Sequence, residues 1–145
     1  QTLETGILEA FRNQGMSRKE ACLHLPELLK KVELSSETAM RYPRETSGGE
    51  CQRAAIARAL AVQPSLLICD EATSALDAAV QAQIVQLLKK LQREEGLAML
   101  WIGHDLALVR ELCSRVIVMR QGKIGGDAGG IGVPERGIHE TVDGV

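Results

Sequence analysis

Residues 65 to 102 constrain the fold of this chain more than any other stretch, because they carry a strand, helix, strand pattern. Leu66-Leu67-Ile68-Cys69 is a continuous apolar run that stops abruptly at Asp70-Glu71, and Ala98-Met99-Leu100-Trp101-Ile102 is a second run closed by Gly103-His104-Asp105. Short apolar runs bounded by polar residues fit strands buried on both faces of a sheet. Between them, residues 78 to 94 place Val80, Ile84, Leu87, Leu88 and Leu91 on one side of a helix and Gln and Lys on the other, and Gly96 ends it. Two strands joined through a helix are expected to run parallel with a right-handed crossover, which makes the fold class α/β.

The flanking segments fit that class. Ile7, Leu8 and Phe11 fall at helical spacing. Ser17 and Glu20 have capping-box spacing for a second helix, whose buried stripe is Leu25, Leu28, Leu29 and Val32. Pro26 interrupts that stripe, so the helix is expected either to kink or to begin again there. After residue 102, a helix over Leu106 to Cys113 leads to the strand Val116-Ile117-Val118-Met119, and Arg120-Gln121-Gly122-Lys123 turns back toward Ile124. Residues 125 to 145 are rich in glycine and poor in large apolar side chains, and read as a loose or disordered tail. With aromatic residues at 2%, the core has to be built from Leu, Ile, Val and Ala, as is usual where helices pack on a parallel sheet.

Some function classes are excluded early. A formal net charge of −2 leaves no basic surplus to displace counterions from a nucleic acid. No apolar run approaches the roughly 20 residues that span a bilayer, and no basic-then-apolar leader opens the chain, so it reads as cytoplasmic. Cys22, Cys51, Cys69 and Cys113 show no C-x-x-C spacing, and read as packing residues rather than metal ligands or disulfide partners.

Three constellations carry chemistry. Asp70 and Glu71 end an apolar strand, where ligands bind in open parallel sheets. In phosphoryl transfer one such carboxylate holds Mg²⁺ through water and its neighbour orients or deprotonates the attacking water, and two acids merely opening a loop is the plain alternative. Thr46-Ser47-Gly48-Gly49-Glu50 precedes a helix through Arg53, Ile56 and Leu60; consecutive glycines and a helix N-terminus suit an anion, although Ser47 and Glu50 also have the spacing of a simple capping box. His104 follows the second strand on the same sheet edge as the acids, where an imidazole can face a terminal phosphate.

In this order and at these separations, the residues resemble the ATP-binding cassette (ABC) family. Residues 46 to 50 resemble its signature motif, Leu66 to Glu71 its Walker B strand and catalytic glutamate, Ser74-Ala75-Leu76-Asp77 its D-loop, and His104 its switch histidine. The resemblance implies part of a P-loop NTPase, RecA-like, parallel sheet with helices, plus the family's α-helical subdomain. It divides the chain into residues 1 to 62 (helical subdomain through the signature helix), 63 to 124 (part of the ATPase core) and 125 to 145 (tail). It implies Glu71 and His104 as catalytic residues, Ser47, Gly48, Gly49, Glu50 and Asp77 as ATP-binding residues, and Asp70 as the Mg²⁺ carboxylate, with ATP and Mg²⁺ as cofactors. Arg41-Tyr42-Pro43, Val80-Gln81-Ala82-Gln83-Ile84 and His104-Asp105-Leu106-Ala107-Leu108-Val109 resemble the subgroup that imports dipeptides, oligopeptides and nickel. The implied partners are a second ABC subunit, identical or not, and membrane-spanning permease subunits at the cytoplasmic face of a bacterial inner membrane, with no nucleic acid.

Three residues depart from the family pattern. Thr46 stands for the usual Leu and Glu50 for the usual Gln, both beside the phosphate site and expected to weaken engagement; Ala72 stands for the usual Pro and alters loop stiffness. The P-loop pattern G-x-x-x-x-G-K-[ST] does not occur in these residues: Gly122-Lys123 is the one Gly-Lys pair, and Ile124 follows it. The chain is therefore expected to be an incomplete copy, inactive alone, that offers its signature to a nucleotide held by a partner. The competing readings are a catalytically dead binding module that pairs with an intact subunit, and an ABC ATPase that works outside transport.

Overall fold

The computed structural model describes residues 1–129. Along them the order is α1 (Leu3–Asn13), α2 (Arg18–Lys31), α3 (Ser36–Ala39), α4 (Gly48–Leu60), β1 (Leu66–Asp70), α5 (Ala78–Glu95), β2 (Ala98–Ile102), α6 (Leu106–Leu112), β3 (Arg115–Arg120) and β4 (Lys123–Gly129), with a 3₁₀ turn at Pro43–Glu45. The chain divides into two compact units, Gln1–Ile102 and a second that begins at Gly103.

In the first unit the helices start where the sequence supplies caps. The Oγ atoms of Ser17 and Ser47 each accept an N–H three residues on, and Glu20 and Glu50 return the bond to the cap's own N–H. Helix α2 runs without interruption through Pro26 and does not begin again there; the proline lies inside it on an exposed position. Solvent there can satisfy the Cys22 carbonyl that the missing N–H leaves without its helical partner. Helix α5 stops at Gly96, whose φ of 63° is left-handed and costs glycine little.

β1 and β2 pair in parallel, from Leu66 opposite Ala98 to Asp70 opposite Ile102. The expectation that β1 is buried on both faces is overturned. Leu67 and Cys69 are buried, whereas Leu66 and Ile68 are 50% and 59% exposed, and on β2 Leu100 and Ile102 are 47% and 45% exposed. Among the described residues this is a two-stranded sheet, and its buried face packs into the same core as the helices. The opposite apolar face is left open.

That core joins Ile7 and Phe11 of α1, Leu25, Leu28 and Leu29 of α2, Ile56 and Ala57 of α4, and Ile84, Leu87, Leu88 and Leu91 of α5. Burial of each large aliphatic side chain contributes about 1.5–3 kcal/mol, so α5, with four of them, anchors the unit. Polar links fix how the helices meet. Arg53 of α4 donates to the Val32 carbonyl at 3.0 Å and to the Glu33 carboxylate at 2.9 Å, Lys90 of α5 reaches Glu33 at 3.5 Å, and Lys31 pairs with Glu95 at 2.9 Å. The hydrogen bond to Glu95 raises the pKa of Lys31 above its ordinary value.

In the second unit α6 leads to an antiparallel hairpin of β3 and β4, with a register irregularity between Val118 and Met119. β4 runs to Gly129, so the expectation of a disordered tail from 125 is overturned for its first residues, which are strand; the remainder of that expectation, residues 130 to 145, lies outside the described residues. The cysteines do not all pack. Cys69 is buried, Cys51 and Cys113 are intermediate, and Cys22 is exposed on α2; partial burial raises the Cys113 thiol pKa. No helix among the described residues is long and apolar enough to cross a membrane.

Candidate functional site

The site is built on the starts of two helices and the end of one strand. At α4, Ser47 has an extended backbone (φ −71°, ψ 161°), and the helix begins at Gly48. Its Oγ accepts from the Glu50 N–H at 3.2 Å, while the Glu50 carboxylate accepts from the Ser47 N–H at 2.7 Å and from the Ser47 hydroxyl at 2.9 Å. Those bonds, the backbone one foremost, hold the Glu50 pKa below its usual range, helped by the Thr38 hydroxyl and the Arg41 charge. Gly48 and Gly49 occupy the first turn, where N–H groups lack helical acceptors and the dipole is positive. The anion-site and capping-box readings of this segment thus describe the same atoms.

The glycines have a second reason that the sequence did not disclose. A Cβ on Gly48 would stand 3.0 Å from Leu76 Cδ2, and one on Gly49 only 2.6 Å from Val80 Cγ1. The start of α4 is pressed against residues 76 and 80, at the start of α5, and a side chain on Gly49 does not fit without displacing a β-branched neighbour. Asp77, assigned to nucleotide contact by resemblance, caps α5: its Oδ1 accepts from the N–H groups of Ala79 at 3.1 Å and Val80 at 3.0 Å. An aspartate immediately before a helical stripe was the signal for this role.

Asp70 ends β1 and Glu71 leaves the strand, both exposed. Glu71 has φ of 45°, an uncommon conformation for a side chain with a Cβ, and a strained one that needs external support. Its N–H donates to the Ile102 carbonyl at 2.9 Å, and its own carbonyl accepts from the Ser74 N–H at 3.1 Å and the Ser74 hydroxyl at 3.0 Å. Ser74 thus fixes the backbone that carries Glu71, and the Gln81 amide donates to Thr73 at 3.3 Å, tying the same loop to α5. Ser74 and Gln81 stood in the motifs read from sequence, but their loop-fixing bonds were not legible there, since their partners are set by the turn and not by spacing. His104, exposed, lies two residues past the end of β2 and belongs to the second unit.

The donor set suits a hard cation. Two carboxylates at a strand end match Mg²⁺, which binds through one or two carboxylates together with waters and substrate phosphates. Among the described residues no group of three or more His, Cys, Asp or Glu forms an all-protein metal cage.

Comparison with known proteins gives consistent results. The profile of the family described as ABC transporter matches residues 4–74. The oligopeptide transport ATP-binding protein OppF of Escherichia coli (strain K12) is 51% identical over 107 residues, covering 74% of this chain and 32% of that protein. A probable peptide ABC transporter ATP-binding protein of Sinorhizobium fredii is 54% identical over 119 residues, covering 81% of this chain and 34% of the relative. The chain thus spans about a third of the length of these curated relatives. Among solved structures, a dimeric ATP-binding cassette in a post-hydrolysis state, bound to ADP and Pi, superposes with a TM-score of 0.66 at 37% identity, over 80% of this chain and 49% of that one.

Proposed function

Because the chain belongs to the ABC transporter ATP-binding family along the segment it shares with those relatives, we propose that it supplies the phosphate-sensing part of a peptide importer's ATPase. The observation that carries this reading is the start of α4: Ser47, Gly48 and Gly49 open a helix whose first turn is seated against Leu76 and Val80. In the same unit Asp70 and Glu71 end a strand.

The roles follow from the chemistry of each group. Ser47 and the first-turn amides of α4 bind a terminal phosphate of a nucleotide held by a second ABC subunit. Asp70 would hold Mg²⁺, which would supply positive charge against the phosphate. Glu71, kept in its strained conformation by Ser74 and Ile102, would orient the attacking water only where a P-loop supplies a nucleotide, and His104 is proposed separately, on the resemblance alone, as a hydrogen-bond partner of a terminal phosphate. Asp77 contributes by holding the start of α5 against the glycines. The functional division is residues 1 to 62 as helical and signature region and the described residues from 63 on as part of the catalytic core. Dipeptides, oligopeptides or nickel are the transported class, through permease subunits at the cytoplasmic face of the membrane, and the naming of both curated relatives supports the peptide part of that range.

No P-loop pattern stands in the 145 residues, so Glu71 has no cradle for a nucleotide of its own within them. These residues by themselves are therefore proposed to be inactive. The test is association: the chain is mixed with a full-length peptide-importer ATP-binding subunit whose hydrolysis has been disabled, and complex formation is followed by sedimentation with and without MgATP. MgATP-dependent association that Ser47→Ala weakens supports the reading. Association indifferent to both nucleotide and Ser47 contradicts it.

A further inference from the structure

Helix α2 ends in a residue that the geometry of the turn does not favour. The Leu34 N–H donates to the Leu29 carbonyl at 3.0 Å and the Glu33 N–H to the Lys30 carbonyl at 3.1 Å, the paired bonds of a helix end that passes through a left-handed residue. Glu33 is that residue, with φ of 56°. Helix α5 also ends left-handed but places Gly96 there, which takes the conformation without strain. A Cβ at position 33 costs stability in the turn itself, so any compensation comes from the side chain.

That side chain reaches two other helices. One carboxylate oxygen accepts from the largely buried Arg53 of α4 at 2.9 Å, and the other lies 3.5 Å from the Lys90 ammonium of α5. α4 and α5 already meet at their starts, where a Cβ on Gly49 would stand 2.6 Å from Val80 Cγ1. From Val80 to Lys90 the α5 axis runs about 15 Å. Two rods that touch near one end can pivot about that point, and a second tie at this distance resists the pivot. The Lys31–Glu95 pair, at 2.9 Å, joins α2 to α5 without involving α4 and does not replace it.

We infer that Glu33 is a positioning residue for Gly48 and Gly49: by holding Arg53 and Lys90 together at the end of α2, it sets how α4 crosses α5 and so how Gly49 seats on Val80. The functional meaning of this clasp rests on the phosphate role proposed for residues 47 to 49, which the association assay tests separately.

The full chain, isotopically labelled and without nucleotide, is followed by NMR at Gly49 and Val80. Glu33→Gly folds readily because glycine suits the left-handed turn, and Lys90→Gln leaves Glu33 and Arg53 in place. Both variants are expected to shift the Val80 methyl resonance in the same direction and to weaken its cross-peak with the Gly49 α-hydrogens. The double variant is expected to go no further than Glu33→Gly, since the two residues act through one tie. A Val80 resonance and cross-peak unchanged in Glu33→Gly overturn the inference whatever the thermal midpoint does, because a merely structural Glu33 alters stability alone. Shifts that add in the double variant overturn it as well. The expected Val80 response without MgATP-dependent association supports the clasp and overturns the phosphate role.

Discussion

At the residue scale, Gly48 and Gly49 have a packing role beside the phosphate contact proposed for them. Gly49 is where α4 and α5 approach too closely for a Cβ, with Val80 Cγ1 at 2.6 Å from the position a Cβ would take. Gly49→Ala is expected to destabilise the first unit by about 1–3 kcal/mol through overpacking, measured by urea denaturation, and Val80→Ala in the same chain should recover part of that loss. An unchanged midpoint for Gly49→Ala would contradict the contact. The carboxylates of Glu20 and Glu50 both have pKa values lowered from 4.5, first of all by bonds to the side chain of Ser17 and the backbone of Ser47 respectively. A lowered folded-state pKa means stability that is complete above 4.5 and lost as pH falls through the lowered value. Thermal midpoints should therefore decline on acidification below that point, and decline less in the Glu20→Gln, Glu50→Gln double variant; parallel curves would refute the assignment. The capping boxes were legible in the sequence because their spacing is local. The packing of Gly49 on Val80 was not, because it joins positions 49 and 80 through the way two helices cross.

At the element scale, the strand, helix, strand pattern was readable almost to the residue, since alternation of apolar runs with a 3.6-residue stripe is a local signal. Burial of β1 was misread for a non-local reason. A continuous apolar run says that both faces can be buried, but whether they are depends on the layers present, and one face of Leu66 and Ile68 is open here. Pro26 was ambiguous because its cost depends on where the helix faces, and an exposed position lowers that cost. Replacing it should strengthen α2: Pro26→Ala is expected to stabilise the protein by about 1–3 kcal/mol, the restored helical hydrogen bond outweighing the added freedom of the unfolded chain. A lower thermal midpoint for this variant would show that the ring makes contacts the helix needs. On α5, Leu88 is fully buried, and Leu88→Ala should cost about 2–5 kcal/mol by denaturant titration; a cost under about 1 kcal/mol would mean that the α5 stripe is not the anchor.

At the scale of the whole molecule, the described residues leave Leu66, Ile68, Leu100 and Ile102 exposed on one face of a parallel sheet. Parallel sheets are normally covered on both sides, and a contiguous apolar patch invites association. The family, the order of the motifs and the acids at the strand end were all accessible from sequence, because each is a short run with its own chemistry. The strain at Glu71 and the grip of Ser74 on it were not, because they exist only once the backbone turns. These residues are proposed to engage a partner's nucleotide without turning over ATP themselves. Steady-state release of phosphate by the purified 145-residue chain, with ATP and Mg²⁺ in excess, tests this most directly. Both the unsubstituted chain and Glu71→Gln are expected to give a rate indistinguishable from buffer; turnover above background that Glu71→Gln abolishes would overturn the proposal.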